Sequence, residues 1–235
     1  MPLVDPDDTS LWDGGPNSLY QHPVYTKNAD GGWTVSGHRG FERIELPGGG
    51  LVYVGPDGKK LIAALESIGL IKGQRILLLG AGFGWIAEEF VMAGYGPMAD
   101  GTGNGRICAL ETSAWVHANK NVHARVAIIN ADVSVATGRN SIRASFNLTG
   151  TAKADWCITE DVLPILVGQG ASPNGPNEVQ PLCQSCRQMA VNIAHMVTPR
   201  HGSAQDPRLN WKSMEEWKAW VSPDYVIRRG STEVL

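Results

Sequence analysis

The chain has few cysteines, no cluster of basic residues and no long apolar run, and each shortage removes a class of protein. Four cysteines in 235 residues are too few to staple a chain of this length. Cys108 and Cys157 lie inside apolar runs and read as small buried hydrophobes. Cys183 and Cys186 form a single CxxC, but no second CxxC and no close histidine pair completes a structural zinc site. The pair therefore reads as two helical cysteines, and no metal is expected. Lys and Arg total 20 against 23 Asp and Glu, a net charge of −3, and the cations are scattered, so there is no electrostatic footprint for duplex nucleic acid. No stretch of about 18 apolar residues occurs, and the opening MPLVDPDDTSLWDGG has acids and prolines where a signal peptide needs basic and then apolar residues. A soluble, cytoplasmic protein with no membrane partner is expected.

What is present suits a folded α/β domain. With 43% apolar and 18% charged residues, the chain can bury a proper core as one domain with appendages. Residues 1 to about 40 are rich in Gly, Pro, Asn and Asp with isolated aromatics (Trp12, Tyr20, Tyr25, Trp33), which suggests an extended arm. Phe41–Leu46 and Leu51–Val54 flank PGGG and predict a β-hairpin, with GPDG a further turn. The spacing of Leu61, Leu65 and Ile68 predicts a helix stopped by Gly69. Residues 1–58 are thus read as an arm and hairpin, and residues 59–235 as the main domain.

From Arg75 strands and helices alternate. RILLL is an apolar run typical of a strand covered on both faces. Trp85–Ala93 carries Ile86, Phe90 and Ala93 on one stripe before Gly94, and strands follow at Ile107–Leu110, Val126–Ile129 and Trp156–Thr159. Thr112 or Ser113 can cap a helix after the second of these strands. Such alternation implies a mostly parallel sheet flanked by helices, a Rossmann-like α/β fold. In the last third, Gly168–Pro181 (GQGASPNGPNEVQP) reads as a binding loop or lid, and Leu182, Cys186, Met189, Ile193 and Met196 as one helix face carrying His195. Ser213 and Glu216 have capping-box spacing before a helix with Trp217 and Trp220, and Tyr225–Ile227 predicts a closing strand.

The segment RILLLGAGFG is the chemical centre of this pattern. A strand, then glycines, then a helix brings backbone amides close to a ligand and suits a nucleotide-like group. The dinucleotide fingerprint GxGxxG places its third glycine at position 85, where this chain has tryptophan. GxGxG at Gly80, Gly82 and Gly84 resembles the first motif of class I S-adenosylmethionine-dependent methyltransferases. ICALE ends the second strand with Glu111, beyond a loop insert from Gly96 to Gly105; INAD ends the third with Asp132; and DWCITED ends the fourth with Glu160 and Asp161. These resemble the family's later motifs, and all lie at the carboxyl edge where open parallel sheets bind ligands.

The resemblance covers about Ile71 to Val167. It implies that Gly80, Ala81, Gly82 and Gly84 hold the cofactor S-adenosylmethionine, that Glu111 meets the ribose and Asp132 the adenine, and that their neighbours Thr112 and Val133 are also cofactor-binding. It implies catalysis by positioning, because the sulfonium is already activated, with Glu160 or Asp161 as base or orienting carboxylate. The expected acceptor is a small molecule or protein side chain rather than nucleic acid, since no NPPY- or DPPY-like motif occurs. Its expected place is between the Gly168–Pro181 loop and the hairpin near Tyr53. The chain departs from the family at Leu78, where an acid is usual, although relatives of spermidine synthase also carry an apolar residue there. No apolar fifth strand is visible in VTPRHGSAQDPRLNW, which predicts a reduced or rebuilt far half of the sheet. Two other readings stay open: an aminopropyltransferase like spermidine synthase, with Asp155 or Asp161 as its acid, and a non-catalytic protein that keeps the fold for assembly.

Overall fold

The computed structural model describes residues 24–27, 33–36, 42–46, 50–54, 56–82, 84–114, 117, 126–160, 162–163, 176–197 and 212–235. Its centre is a six-stranded sheet built from β5 (Ile76–Leu79), β6 (Ile107–Glu111), β7 (Ile128–Asn130), β8 (Ala154–Glu160), β9 (Ala190–Val197) and β10 (Tyr225–Arg228), in the order β10-β9-β8-β5-β6-β7. Every neighbouring pair is parallel. This is the doubly wound order, in which the chain runs outward from β5 to β7, returns to β8 and runs outward again to β10. The Rossmann-like α/β reading is therefore correct, and the topological switch point lies between β5 and β8.

The sequence of β5 shows why the sheet is buried on both sides. Alternate residues of a strand face opposite ways, and all four residues of β5 are buried. Ile76 and Leu78 join one core with Leu61 and Leu65 of α1 (Pro56–Ser67) and Ile86 and Phe90 of α2 (Trp85–Met92). Leu77 and Leu79 join the other with Ile142 and Phe146 of α3 (Ala136–Phe146), Leu182 and Cys186 of α4 (Pro176–Met189), and Trp217 of α5 (Met214–Val221). At the opposite edge from the glycine loop, the Asp155 carboxylate accepts the Arg75 amide at 2.7 Å, fixing β8 against the start of β5. Gly69 and Gly94 take positive φ after α1 and α2, as expected. The Ser213–Glu216 capping box is fully formed at the head of α5.

Several expectations are corrected. GPDG is no turn: Pro56 opens α1, a position where its fixed φ and missing N–H cost nothing. Within the expected arm, β1 (Val24–Lys27) and β2 (Trp33–Ser36) form an antiparallel pair. The hairpin across PGGG is present as β3 (Glu42–Leu46) and β4 (Gly50–Val54). The polar stretch before β8 contains α3, which buries only Gly138, Ile142 and Phe146, a stripe too thin to stand out among polar neighbours. The Gly168–Pro181 loop is partly helix, because Pro176–Pro181 belongs to α4; residues 168–175 lie outside those described.

The largest correction concerns the supposed helix through Met196. The helix ends at Met189, and AVNIAHMV is β9, the fifth strand of the sheet. It was hidden because a strand covered on both faces reads as an apolar run, so Ile193 and Met196 happen to continue the helical spacing. The far half of the sheet thus has its fifth strand, with β9 in parallel register between β8 and β10.

Leu78 tests the two-sided burial. It is wholly buried, and Leu78→Ala should lower unfolding stability by about 2–5 kcal/mol in urea denaturation. A loss no larger than that of an exposed substitution would mean that the β5 core is not packed as described.

Candidate functional site

The glycine loop leaves β5 at the switch point. Gly80 has φ 71°, and a Cβ there would lie 2.5 Å from Val162 Cγ2 and 3.0 Å from the Glu160 carbonyl oxygen. Both the left-handed backbone and the close passage of β8's end therefore require glycine. The loop is held by its own amides. Ala81 donates to the Leu110 carbonyl at 3.0 Å, and Gly84 to the Ala81 carbonyl at 2.8 Å. Gly84, with φ 91°, then caps α2 and accepts the Glu88 amide at 3.0 Å.

Glu111 is the residue around which the site is organised. One carboxylate oxygen accepts the Gly82 amide at 2.9 Å and the other the Ser113 amide at 2.8 Å. The side chain thus joins the loop after β5 to the turn after β6. It is 4% exposed. Burial pushes its carboxyl above the ordinary range, and the amides of Ser113 and Gly82 act in the opposite direction by favouring the anion. Thr112 is exposed beside it. Ser113, expected only as a helix cap, is the second anchor, and its carbonyl accepts the His117 amide at 3.1 Å as a helical turn begins.

At the neighbouring strand end Asn130 donates to the carbonyls of Glu111 (3.0 Å) and Thr112 (3.2 Å), tying β7 to β6. Asp132 is exposed and accepts the Ser134 amide at 2.7 Å. Its backbone is approached so closely by α3 that a Cβ on Gly138 would lie 1.8 Å from the Asp132 carbonyl oxygen, a contact the sequence analysis missed. The Val133 side chain is buried in the core, and Arg139 donates to its carbonyl at 2.9 Å, so it offers a ligand no side-chain surface. Glu160 ends β8 and is 9% exposed. Asp161 and the Tyr53 side chain lie outside the described residues. The structure therefore brings Gly80, Ala81, Gly82, Gly84, Glu111, Thr112, Asp132 and Glu160 to one edge of the sheet. Asp155, the other acid of DWCITED, lies at the opposite edge.

His195 differs most from its expected place. It is on β9, not on a helix, and it is fully buried. Nδ1 lies 2.9 Å from Thr159 Oγ1 and Nε2 lies 3.4 Å from Asp224 Oδ2. Burial lowers its pKa, and the Asp224 carboxylate opposes that shift.

No protein-family model and no curated protein matches the chain. Among the described residues no helix is long and apolar enough to cross a membrane.

The raised carboxyl of Glu111 has a signed consequence. Because the folded chain binds this proton more readily than the unfolded chain, the linked stability is fully present below the ordinary value of 4.5 and is lost as pH rises through the raised folded value. Wild type should therefore gain stability relative to Glu111→Gln as pH falls from neutrality towards that ordinary value. Paired urea denaturations over this window should show the gap changing; a constant gap would refute the shift.

Proposed function

We propose that the chain is an S-adenosylmethionine-dependent methyltransferase whose acceptor is a small molecule or a protein side chain. The reading rests on one contact, the Gly82 amide to the Glu111 carboxylate at 2.9 Å. It joins the glycine loop and the acid after the second sheet strand, the two parts of the motif that the resemblance assigns to the cofactor. Oε2 has a lone pair beyond its amide bond, which fits acceptance of a ribose hydroxyl, and Oε1 is reached by the exposed Thr112 hydroxyl at 3.5 Å, a contact that a second ribose hydroxyl could replace. The exposed Thr112 and Asp132 stand on the adjacent strand ends, where an adenosine group would extend. Bound S-adenosylmethionine supplies an already activated methyl group. The remaining work of the protein is to align the acceptor and relieve it of a proton, and Glu160, or Asp161 beyond it, is the carboxylate proposed for this.

A dinucleotide is the second reading, and the all-parallel doubly wound order favours it. Against it stand Trp85 and the loop amides. A pyrophosphate is bound by backbone N–H groups at the helix start, whereas the Gly84 amide is turned back to the Ala81 carbonyl.

Thermal-shift titration separates the readings, since a ligand at about 100 times its dissociation constant stabilises a fold by roughly 2.7 kcal/mol. S-adenosylmethionine or S-adenosylhomocysteine should raise the melting temperature of wild type, and of Glu111→Gln less. No rise with either, or an equal rise in the variant, overturns the site. A rise with NAD alone selects the dinucleotide, and one with decarboxylated S-adenosylmethionine alone selects aminopropyl transfer.

A further inference from the structure

The far half of the sheet holds a second constellation, independent of the glycine loop. Cys183 on α4, His195 on β9 and Asp224 just before β10 each direct one ligand atom to a common point, all within 4.8 Å of one another. Cys183 and His195 are fully buried and Asp224 is 6% exposed. We propose that these three side chains form a binding site for a divalent zinc-like ion that clips α4, β9 and β10 together.

The distances suit an ion between the groups as well as the long contacts that cross the centre. His195 Nε2 lies 3.4 Å from Asp224 Oδ2, longer than the roughly 2.7–3.2 Å of an ordinary N–H···O bond. Cys183 Sγ lies 3.8 Å from the same nitrogen. Tetrahedral zinc, with bonds of about 2.0–2.1 Å to nitrogen, 2.0–2.2 Å to oxygen and 2.3 Å to sulfur, sets its ligand atoms about 3.3–3.6 Å apart. These two separations are at or just beyond those edges, while Cys183 Sγ and the Asp224 carboxylate, within 4.8 Å of each other, would draw together as an ion enters.

The surrounding groups hold the ligands in the required orientation. With its proton on Nδ1, His195 donates to Thr159 Oγ1 at 2.9 Å and presents the bare Nε2 lone pair to the centre, the usual support for a metal-bound imidazole. Arg187 grips the Asp224 carboxylate from outside with Nε at 3.1 Å and Nη2 at 2.8 Å. Lys218 holds the Asp224 carbonyl at 2.7 Å. The Cys183 thiolate and the Asp224 carboxylate balance the two charges of the ion, and the Arg187 side chain, 35% exposed, keeps its own charge solvated. On binding, the Cys183 thiol proton leaves to solvent; no electron moves. Three protein ligands leave a fourth position for water. Cys186 does not supply it, because its thiol engages Cys157; the CxxC contributes one ligand, not two.

The 235-residue chain, stripped with a chelator, provides the test. It should bind one zinc or cobalt ion per chain. Cobalt should give a thiolate-to-metal charge-transfer band and intense tetrahedral bands in the visible. Cys183→Ser should abolish the charge-transfer band and Cys108→Ser should keep it, while Thr159→Val should weaken zinc about 10- to 100-fold. Absence of stoichiometric binding, a cobalt spectrum without the thiolate band, or a band that survives in Cys183→Ser overturns the site. If Cys183→Ser does not fold, the wild-type spectrum and zinc-dependent protection against urea decide together: both present supports the site, and the absence of either overturns it.

Discussion

Two-sided burial of β5 is the constraint on which the rest of the molecule depends. A strand covered on both faces has no polar side and satisfies its backbone only through the ladders on either hand. Ile76–Leu79 meets the first condition with four apolar residues and the second by pairing with both β6 and β8. Polar chemistry is thereby displaced to the strand ends. The chain leaves the core at Gly80, where the backbone turns left-handed, and the first side chain to meet the loop amides is an acid from the adjacent strand.

The same constraint accounts for Leu78. In this chain it faces the core formed with α1 and α2, where a carboxylate would be buried among apolar side chains at a cost of several kcal/mol. The acid that meets the glycine loop is Glu111, at the end of β6. Its amide contacts make it a structural pin of the loop before any ligand is considered, so its structural and proposed binding roles are not alternatives. A buried carboxyl group holding two amides fixes the loop in one shape, which would lower the ordering cost of binding there.

The near half of the sheet was legible because each of its signals was local: RILLL bounded by turn residues, glycines at 80, 82 and 84, and acids closing apolar runs. The far half was not. Cys186, Met189, Ile193 and Met196 kept helical spacing across the boundary at Ala190 because β9 is buried on both faces from Ile193 onward, and periodicity cannot distinguish such a strand from a helix. Pro181, a residue that argues for a loop, sits inside α4. The organising role of Glu111 could be anticipated from its place at a strand end, but the Ser113 amide could not, because a backbone donor has no residue type to recognise. Nor was the close passage of Gly138 past Asp132 visible, since a glycine in a polar segment reads as a breaker.

The two constellations meet on β8. Thr159 turns towards His195 and the core that contains α4, and the next residue, Glu160, projects to the other face at the ligand edge, as alternation in a strand requires. The position of the proposed base is therefore set by the residue before it, whose hydroxyl is engaged with a ring that is itself fixed between β9 and the turn into β10. Buried polar groups hold geometry more tightly than apolar ones, because any displacement leaves a donor or acceptor without its partner. A network of this kind beneath the strand end makes β8 rigid where the acceptor would be aligned. The polar contacts of the far half would thereby bear on the alignment proposed for the near half.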